Sequence, residues 1–340
     1  MSNFILSNYV EPILLKTREN SCNCSSFELN GKEYIISRNV SYYLGEDISF
    51  LVNDRFTTRN FLYEVINNEG DLKFIKELKS PLGDKNSRWY GYEDIRTMKW
   101  GDEVFFSCTT CNGNVDDGTM TFGKIVDLDL HVLKQIRTSN RREKNWVPIE
   151  LVPNSYVYSF DPLVIVNTES EIFTGRREWK GMHISGSSPL IEYNDRYLAL
   201  VHKKSRDCVY THKFIELDGN MNVVRESDEF SFFGAKTEFC VDIRMINGRI
   251  RILPSVNDGL SFIFEVTSEQ MESILNREFR NNKKSNIYDL FYACSRFISK
   301  EVAVVSAIYS SSSENKEDAK KLLTMTKFNT DQRNKIHRRL

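Results

Sequence analysis

From residue 27 to 266 apolar positions recur at every second place in short runs, and each run stops at a turn. "KEYIISRNVSYYL", "RNFLYEVIN", "DEVFFSCTT", "MTFGKIVDLD", "YLALVHKKS" and "LSFIFEVT" are of this kind, rich in aromatic and β-branched residues. Such alternation puts apolar side chains on one face, so these runs predict half-buried β-strands. Between them stand "NNEGD", "WGDE", "LDGN", "INGR" and "VNDG", the Asn, Asp and Gly combinations that tight turns demand. Helical periodicity is absent throughout. Many short antiparallel strands leave a sandwich, a barrel or a propeller.

A coarser repeat selects among the three. "GDEVFFSCTT…TFGKIVDLD", "NDRYLALVHKKS…YTHKFIELD" and "INGRIRILPSVND…SFIFEVT" share one strand–turn–strand plan. They recur at about 50 residues, the spacing of propeller blades, and roughly 240 residues hold five blades. The prediction is an all-β fold, a five-bladed β-propeller of four-stranded blades over 27–266. Innermost strands of a propeller line a central channel, so polar residues on them meet in one pocket. Residues 1–26 read as an N-terminal arm. From 267 the pattern changes. "SEQMESILNREFRNN" and "NIYDLFYACSRFIS" have helical spacing, and "EVAVVSAIY" is an apolar strand followed by a Ser-rich loop and a helix. A small helical or α/β C-terminal extension with a charged tail is therefore expected over 267–340.

Composition narrows the function. Hydrophobic residues make up 40% of the 340, enough for a packed core rather than a disordered chain. The 46 basic and 47 acidic residues lack the basic excess of a nucleic-acid-coating protein, so no nucleic-acid partner is expected. Aromatics, at 12%, suit β-rich cores and also the flat faces of sugar rings. No apolar run has the length of a membrane span, and the N-terminus lacks the basic and long apolar regions of a secretory signal. A cytoplasmic location is expected. Seven cysteines fit free thiols, since an odd number cannot pair completely within one chain. Cys22-x-Cys24 and Cys108-x-x-Cys111 together offer four thiolates to a zinc ion. They lie far apart and carry no further ligand pattern, so no metal is expected.

The stretch Tyr90 to Cys108, "YGYEDIRTMKWGDEVFFSC", sets Glu93 and Asp94 beside Arg96 just ahead of a strand pair. Its plain reading is an ion pair at a hairpin entrance. Its chemical reading is a catalytic carboxylate with an arginine that holds phosphate or sugar.

The ordered set of polar segments resembles the glycoside hydrolase family 130 group of five-bladed propellers, which includes β-mannoside phosphorylases, together with related propellers grouped with glycosyltransferases. The carrying segments are "ISRNVSYYL" (36–44), "TTRNFL" (57–62), "YEDIRTMKWGDEVFFS" (92–107), "EKNWVPIE" (143–150), "YSFDPLVIV" (158–166), "SGSSPLIEYNDRYLALVH" (185–202), "YTHKFIELD" (210–218) and "EFCVDI…SVND" (238–258). The family's E-D-P-R turn stands here as Glu93-Asp94-Ile95-Arg96, with Ile95 in place of the proline. The resemblance implies that Asp94 is the general acid of an inverting enzyme, acting through a sugar hydroxyl, and that Arg96 holds phosphate or a hydroxyl. It adds Arg38, Arg59, Lys144, His202, Tyr210 and His212 as anion ligands. Asn39, Glu93, Asn145, Trp146, Ser187 and Ser188 are implied on the sugar side, with the carboxylates Asp161, Glu238, Asp242 and Asp258. Tyr92 and Trp89 are further candidates for stacking on a sugar ring.

An inverting reaction brings its nucleophile to the face opposite the acid. Phosphate is already anionic, so it needs basic residues to hold it and no general base. The expected co-substrate is inorganic phosphate or a nucleotide sugar, with no cofactor, and the expected substrate is a β-linked, mannoside-like carbohydrate. Taken singly, each residue also has an ordinary reading: a strand histidine is hydrogen-bonded in the core, a strand arginine pairs on the surface, and a strand tryptophan packs. The stretch after "KNW" is shorter than in well-marked phosphorylases. A glycosyltransferase using a nucleotide sugar and a non-catalytic glycan-binding propeller therefore remain alternatives.

Overall fold

The computed structural model describes residues 4–42, 56–80, 89–113, 118–137, 143–160, 162–169, 172–177, 184–205, 209–235 and 237–278. The strands form five antiparallel blades around one axis, a five-bladed β-propeller. Blade 1 consists of Cys22–Leu29, Lys32–Val40, Phe56–Val65 and Leu72–Leu78. Blade 2 consists of Trp89–Trp100, Glu103–Gly113, Thr119–Val126 and Asp129–Ile136. A short parallel pairing, Phe56 with Trp89 and Thr57 with Tyr90, joins these two blades into one sheet. Blade 3 holds Val147–Pro148, Ser155–Phe160, Leu163–Asn167 and Ile172–Arg177. Blade 4 starts with the interrupted strand Ser185–Gly186 and Ile191–Tyr193, followed by Arg196–Lys204, Tyr210–Leu217 and the outer pieces Val223–Glu226 and Phe230–Ser231. Blade 5 holds Glu238–Ile246, Arg249–Val256 and Leu260–Thr267.

Asn247-Gly248 of "INGR" and Asn257-Asp258 of "VNDG" take left-handed φ, between 48° and 72°, and so do Asn30-Gly31 and Asn194-Asp195, turns not singled out in the sequence. That conformation matches the twist of a hairpin, and Asn, Asp and Gly reach it at least cost.

The N-terminal segment does not stand apart as an arm. Ile13–Leu14 pairs antiparallel with Phe262 and Ile263 and supplies the fourth strand of blade 5. Phe4–Ile5 adds to blade 4 in parallel with Phe230–Ser231. The first strand of blade 1 begins at Cys22, ahead of the boundary read at residue 26. The chain thus closes its ring with its own beginning. Lys16 fastens the closure, its ammonium 2.7 Å from Asp71 and its N–H bonded to Gly70 of blade 1.

Each seam between blades has its own apolar cluster. Tyr34, Ile36, Tyr92 and Phe106 fill the seam between blades 1 and 2. Trp146, Phe122 and Tyr156 fill the next. Ile149, Phe160 and Leu190 lie between blades 3 and 4, and Phe214, Phe230, Phe262 and Phe264 between blades 4 and 5. The closing seam, with Leu15, Cys24, Ile35, Leu253 and Ile263, is small and is supplemented by polar bonds.

Thr267 caps the helix Ser268–Leu275 through a reciprocal pair with Gln270. The helix buries Met271, Ile274 and Leu275 against blades 4 and 5. Residues 279–340, which carry the rest of the expected extension, lie outside the described residues.

Candidate active site

Innermost strands carry the interruptions that build the site. In blade 1 the register shifts between Cys22 and Ser25, and Asn23 there has φ 47°. In blade 2 it shifts between Glu93 and Arg96, and Asp94 has φ 54°. Asn145, just ahead of the first strand of blade 3, has φ 63°. A bulge re-aims a side chain that would otherwise follow the pleat, and Asn and Asp tolerate the left-handed backbone. All three side chains line one cavity of about 380 Å³. Gly91 makes the approach possible: a Cβ there would stand 2.2 Å from the carbonyl oxygen of Thr58.

One end of the cavity sets the Arg38 guanidinium among the carboxyl groups of Glu93, Asp94 and Asp258. Arg38 donates from Nη1 to Asp94 Oδ1 at 2.9 Å, stands 3.4 Å from Glu93 with Nη2, and bonds Thr58 Oγ1 with Nε. Asn23 Nδ2 donates to the same Asp94 oxygen at 2.6 Å. Burial would raise the Asp94 pKa, but the Arg38 and Arg96 charges, the Asn23 bond and Lys144 hold it below the usual carboxylate range. Asp258, in the turn after Val256, accepts from the Tyr42 hydroxyl at 2.7 Å. Burial raises its pKa; Arg38 and the Tyr42 bond pull it down, while Asp94 and Glu93 push it up. The two carboxylates therefore differ in proton affinity within one cavity.

The other end is aromatic and basic. The His202 ring stands 4.8 Å from Phe239 and 5.8 Å from Tyr210, and the Lys204 ammonium lies 5.3 Å from the centre of the Tyr210 ring. Lys144 and Lys204 are exposed on the cavity wall. Ser187 Oγ and His202 Nδ1 are 2.8 Å apart. Burial, with His212, Arg96 and Lys144 nearby, drives the His202 pKa well down, so this imidazole is neutral at neutral pH. It can offer a hydrogen bond to an anion, and no charge.

The cavity thus unites Arg38, Glu93, Asp94, Lys144, Asn145, His202, Tyr210 and Asp258 of the residues singled out in the sequence. Others fall elsewhere. Arg59 sits on the third strand of blade 1, half exposed, paired with Glu77 at 2.7 Å and Glu19 at 3.6 Å. Arg96 is buried away from the cavity wall; it donates to the carbonyls of Ser187 and Asp94 and reaches Asn145 Oδ1 at 3.4 Å. It ties blade 2 to blades 3 and 4. His212 lies in the core among Phe230 and Phe232, with neither ring nitrogen hydrogen-bonded among the described residues and its pKa pushed down to about 3 by burial.

Trp146 and Tyr92 are core residues, packed on Phe122 and Phe106 respectively. Asn39 donates to Asn20, and Ser188 Oγ holds the backbone around Pro189 and Leu200. Glu238 accepts the N–H groups of Phe232, Phe233 and Ala235, shaping a loop; burial raises its pKa to about 7. Asp242 is buried in the seam between blades 5 and 1. Asp161 and the side chain of Trp89 lie outside the described residues.

Asn23, Tyr42, Lys204 and Phe239 line the cavity without having been singled out. Tyr42 and Phe239 stood inside quoted segments, and Lys204 follows "VHK". Asn23 had only its place in "CNC" to announce it.

Cys22, Cys24, Cys108 and Cys240 are buried free thiols, and the side chain of Cys111 is not described. Among the described residues no group of His, Cys, Asp and Glu is arranged to hold a metal, and no helix is long and apolar enough to cross a membrane.

No protein-family model matches the chain. No curated protein matches it in sequence either. Solved structures do. A β-1,2-mannobiose phosphorylase from Listeria innocua, in complex with β-1,2-mannobiose, superposes with a TM-score of 0.58 at 12% identity, over 81% of this chain and 99% of that one. A mannose phosphorylase from Leishmania mexicana, in complex with phosphate ion, gives 0.53 at 14%, over 76% and 88%. A glycosyl hydrolase from Bacteroides ovatus gives 0.56 at 13%, over 79% and 94%. At these identities the likeness is one of fold.

Proposed function

We propose that this protein is a carbohydrate-active enzyme that exchanges a β-linked, mannoside-like glycosidic bond with phosphate, with inversion. The observation that carries the reading is the cavity itself. A carboxylate re-aimed by a bulge, Asp94, faces the same space as Lys144, Lys204, neutral His202 and the Tyr210–Phe239 wall. Lysines suit an anion, the rings suit the C–H face of a sugar, and Asp94 and Asp258 suit its hydroxyls. Two of the structural neighbours are phosphorylases by description, which supports the same class.

In the cleaving direction a phosphate oxygen attacks the anomeric carbon from the face opposite the leaving oxygen. The carbon–oxygen bond of the glycoside breaks, and the leaving oxygen receives a proton from Asp94 through a sugar hydroxyl. The products are a glycosyl phosphate and a free sugar. In the reverse direction ionised Asp94 takes that proton from the acceptor. Arg38 and Arg96 hold Asp94 ionised, the form that takes up a proton in the synthetic direction. A phosphate dianion beside Lys144 offsets part of that positive field, raises the proton affinity of Asp94 and prepares the acid for phosphorolysis.

The test is phosphate release from α-mannose 1-phosphate with a panel of sugar acceptors, and phosphate uptake with β-mannosides. Release coupled to disaccharide formation, lost in Asp94→Asn, is expected. Sugar-nucleotide consumption without phosphate exchange would replace this reading by a glycosyltransferase. Glycan binding without any turnover would leave a binding propeller.

A further inference from the structure

Two donors converge on a single oxygen of Asp94. Asn23 Nδ2 and Arg38 Nη1, at 2.6 and 2.9 Å, both reach Oδ1, whereas Oδ2 accepts from no described residue. The Asn23 amide can face only one way. Reversed, it would set its oxygen against the carboxylate, and its own Oδ1 is engaged by the Ser255 hydroxyl at 2.7 Å. Ser255 is in turn 3.1 Å from the carbonyl of Phe239. Asn23 is therefore buried at a junction of three blades: its backbone is a bulge of blade 1, its oxygen is anchored on blade 5, and its nitrogen holds the carboxylate of blade 2.

Resting on the proton transfer proposed above for Asp94, we propose that Asn23 is its positioning residue: with Arg38 it pins Oδ1 and leaves Oδ2, which accepts from no described residue, to carry the proton to and from the sugar hydroxyl. A carboxylic acid keeps its proton on the oxygen that is not already accepting two N–H donors. Pinning Oδ1 also fixes the plane of the carboxyl group, so Oδ2 meets its partner in one orientation, which is what proton transfer needs.

Asn23→Gly is the informative variant, because glycine takes the left-handed backbone without strain and removes only the amide. The readout is ¹³C NMR of protein labelled at aspartate Cγ, with Asp94→Asn identifying the line of Asp94. In Asn23→Gly the titration midpoint of that line is expected to rise by roughly one to two pH units, the effect of losing one hydrogen bond to a charged group. In the phosphate-release assay kcat is expected to fall about tenfold with KM changed less than about twofold. Should Asn23→Gly fail to fold, Asn23→Asp retains a residue suited to the turn and replaces the donor by a second carboxylate; it is expected to raise the midpoint further. An unchanged Asp94 line in a folded variant overturns the positioning role. Turnover insensitive to Asn23→Gly overturns it too and leaves the proposed function standing. A shifted line in a protein whose wild type turns over no phosphate supports the positioning and rejects the phosphorylase reading.

Discussion

Blades 2 and 5 carry the same tripeptide, Asp94-Ile95-Arg96 and Asp242-Ile243-Arg244, where the register of their innermost strands shifts; the shift runs from Glu93 to Arg96 in blade 2 and, one place earlier relative to the tripeptide, from Cys240 to Ile243 in blade 5. Ile95 and Ile243 are both buried. The aspartates part company. Asp94 takes φ 54° and turns into the cavity. Asp242 keeps an ordinary backbone and points into the closing seam, where Ser26 donates its N–H at 2.8 Å and its hydroxyl at 2.7 Å. The arginines follow suit. Arg96 is used up on backbone carbonyls and Asn145. Arg244 stands 3.0 Å from its own Asp242 and donates to the carbonyl and hydroxyl of Thr97 in blade 2. Burial raises Asp242 to about 6, against Arg244 and Ser26, while the arginines around Asp94 overcome burial and lower it. A left-handed φ at Asp94 and a one-residue offset in the register shift thus separate a carboxylate that lines the cavity from one that clamps the ring shut.

The largest effect separates the two by activity. Asp94→Asn is expected to lower turnover by about 10²–10⁴-fold, with thermal stability little changed. Asp242→Asn is expected to retain most of the turnover. Equal losses in the phosphate-release assay would erase the distinction. By stability the ranking inverts. Asp242→Ala leaves half-buried Arg244 without its carboxylate and Ser26 without its acceptor, a loss of about 3 kcal/mol, the low end for breaking a buried pair. Asp94→Ala costs less, because Arg38 still has Glu93. Denaturant midpoints of the two variants check this order.

Phosphate should distinguish cavity from seam. At a hundredfold excess over its Kd a ligand stabilises the native state by about 2.7 kcal/mol. A phosphate-induced rise in Tm, measured against chloride at matched ionic strength, is expected in the wild type and in Asp242→Asn. It should be lost in Lys144→Met and kept in Arg59→Met, since Arg59 pairs with Glu77 outside the cavity. Retention of the rise in Lys144→Met would move the anion away from that wall.

The smallest expected effect is on pH dependence. A carboxyl group with raised pKa binds more protons in the folded than in the unfolded chain, so Asp242 makes stability rise as pH falls from above 6 towards the unfolded value of about 4. A lowered carboxyl does the opposite: the stability due to Asp94 is present above that unfolded value and lost as pH falls through the folded one. The difference in Tm between wild type and Asp242→Asn should therefore widen in favour of the variant from pH 4 to pH 7. A constant difference would mean that Asp242 is ionised throughout.

Strands, turns and the number of blades were legible because they are written in local terms. Alternation marks a half-buried strand, Asn-Gly marks its hairpin, and the repeat counts the blades. Asp94, Arg38, Lys144, His202, Tyr210 and Asp258 were legible as a set, through the order of their segments, and they do share a cavity. Arg59 was misplaced because alternation along a strand says nothing of that strand's place within its blade. On the third strand of blade 1 Arg59 points out to Glu77 and Glu19, while its neighbours Thr58, Asn60, Phe61 and Leu62 are buried. Trp146 was misplaced because an aromatic at the start of a blade can serve the seam or the channel with the same neighbours in sequence, and His212, on the third strand of blade 4, because the strand pattern does not say which face meets the core.

By itself, then, the sequence determined the strand period, the turn positions and the residue types available near the axis, since each depends on a few consecutive residues. Only the tertiary structure decided that Ile13–Leu14 closes blade 5, that Asn23 reaches across to Asp94, and that one Asp-Ile-Arg opens to the cavity while the other locks a seam. These outcomes hang on bulges, left-handed φ values and the meeting of residues far apart in the chain. None of them changes the hydrophobic pattern from which the strands are read.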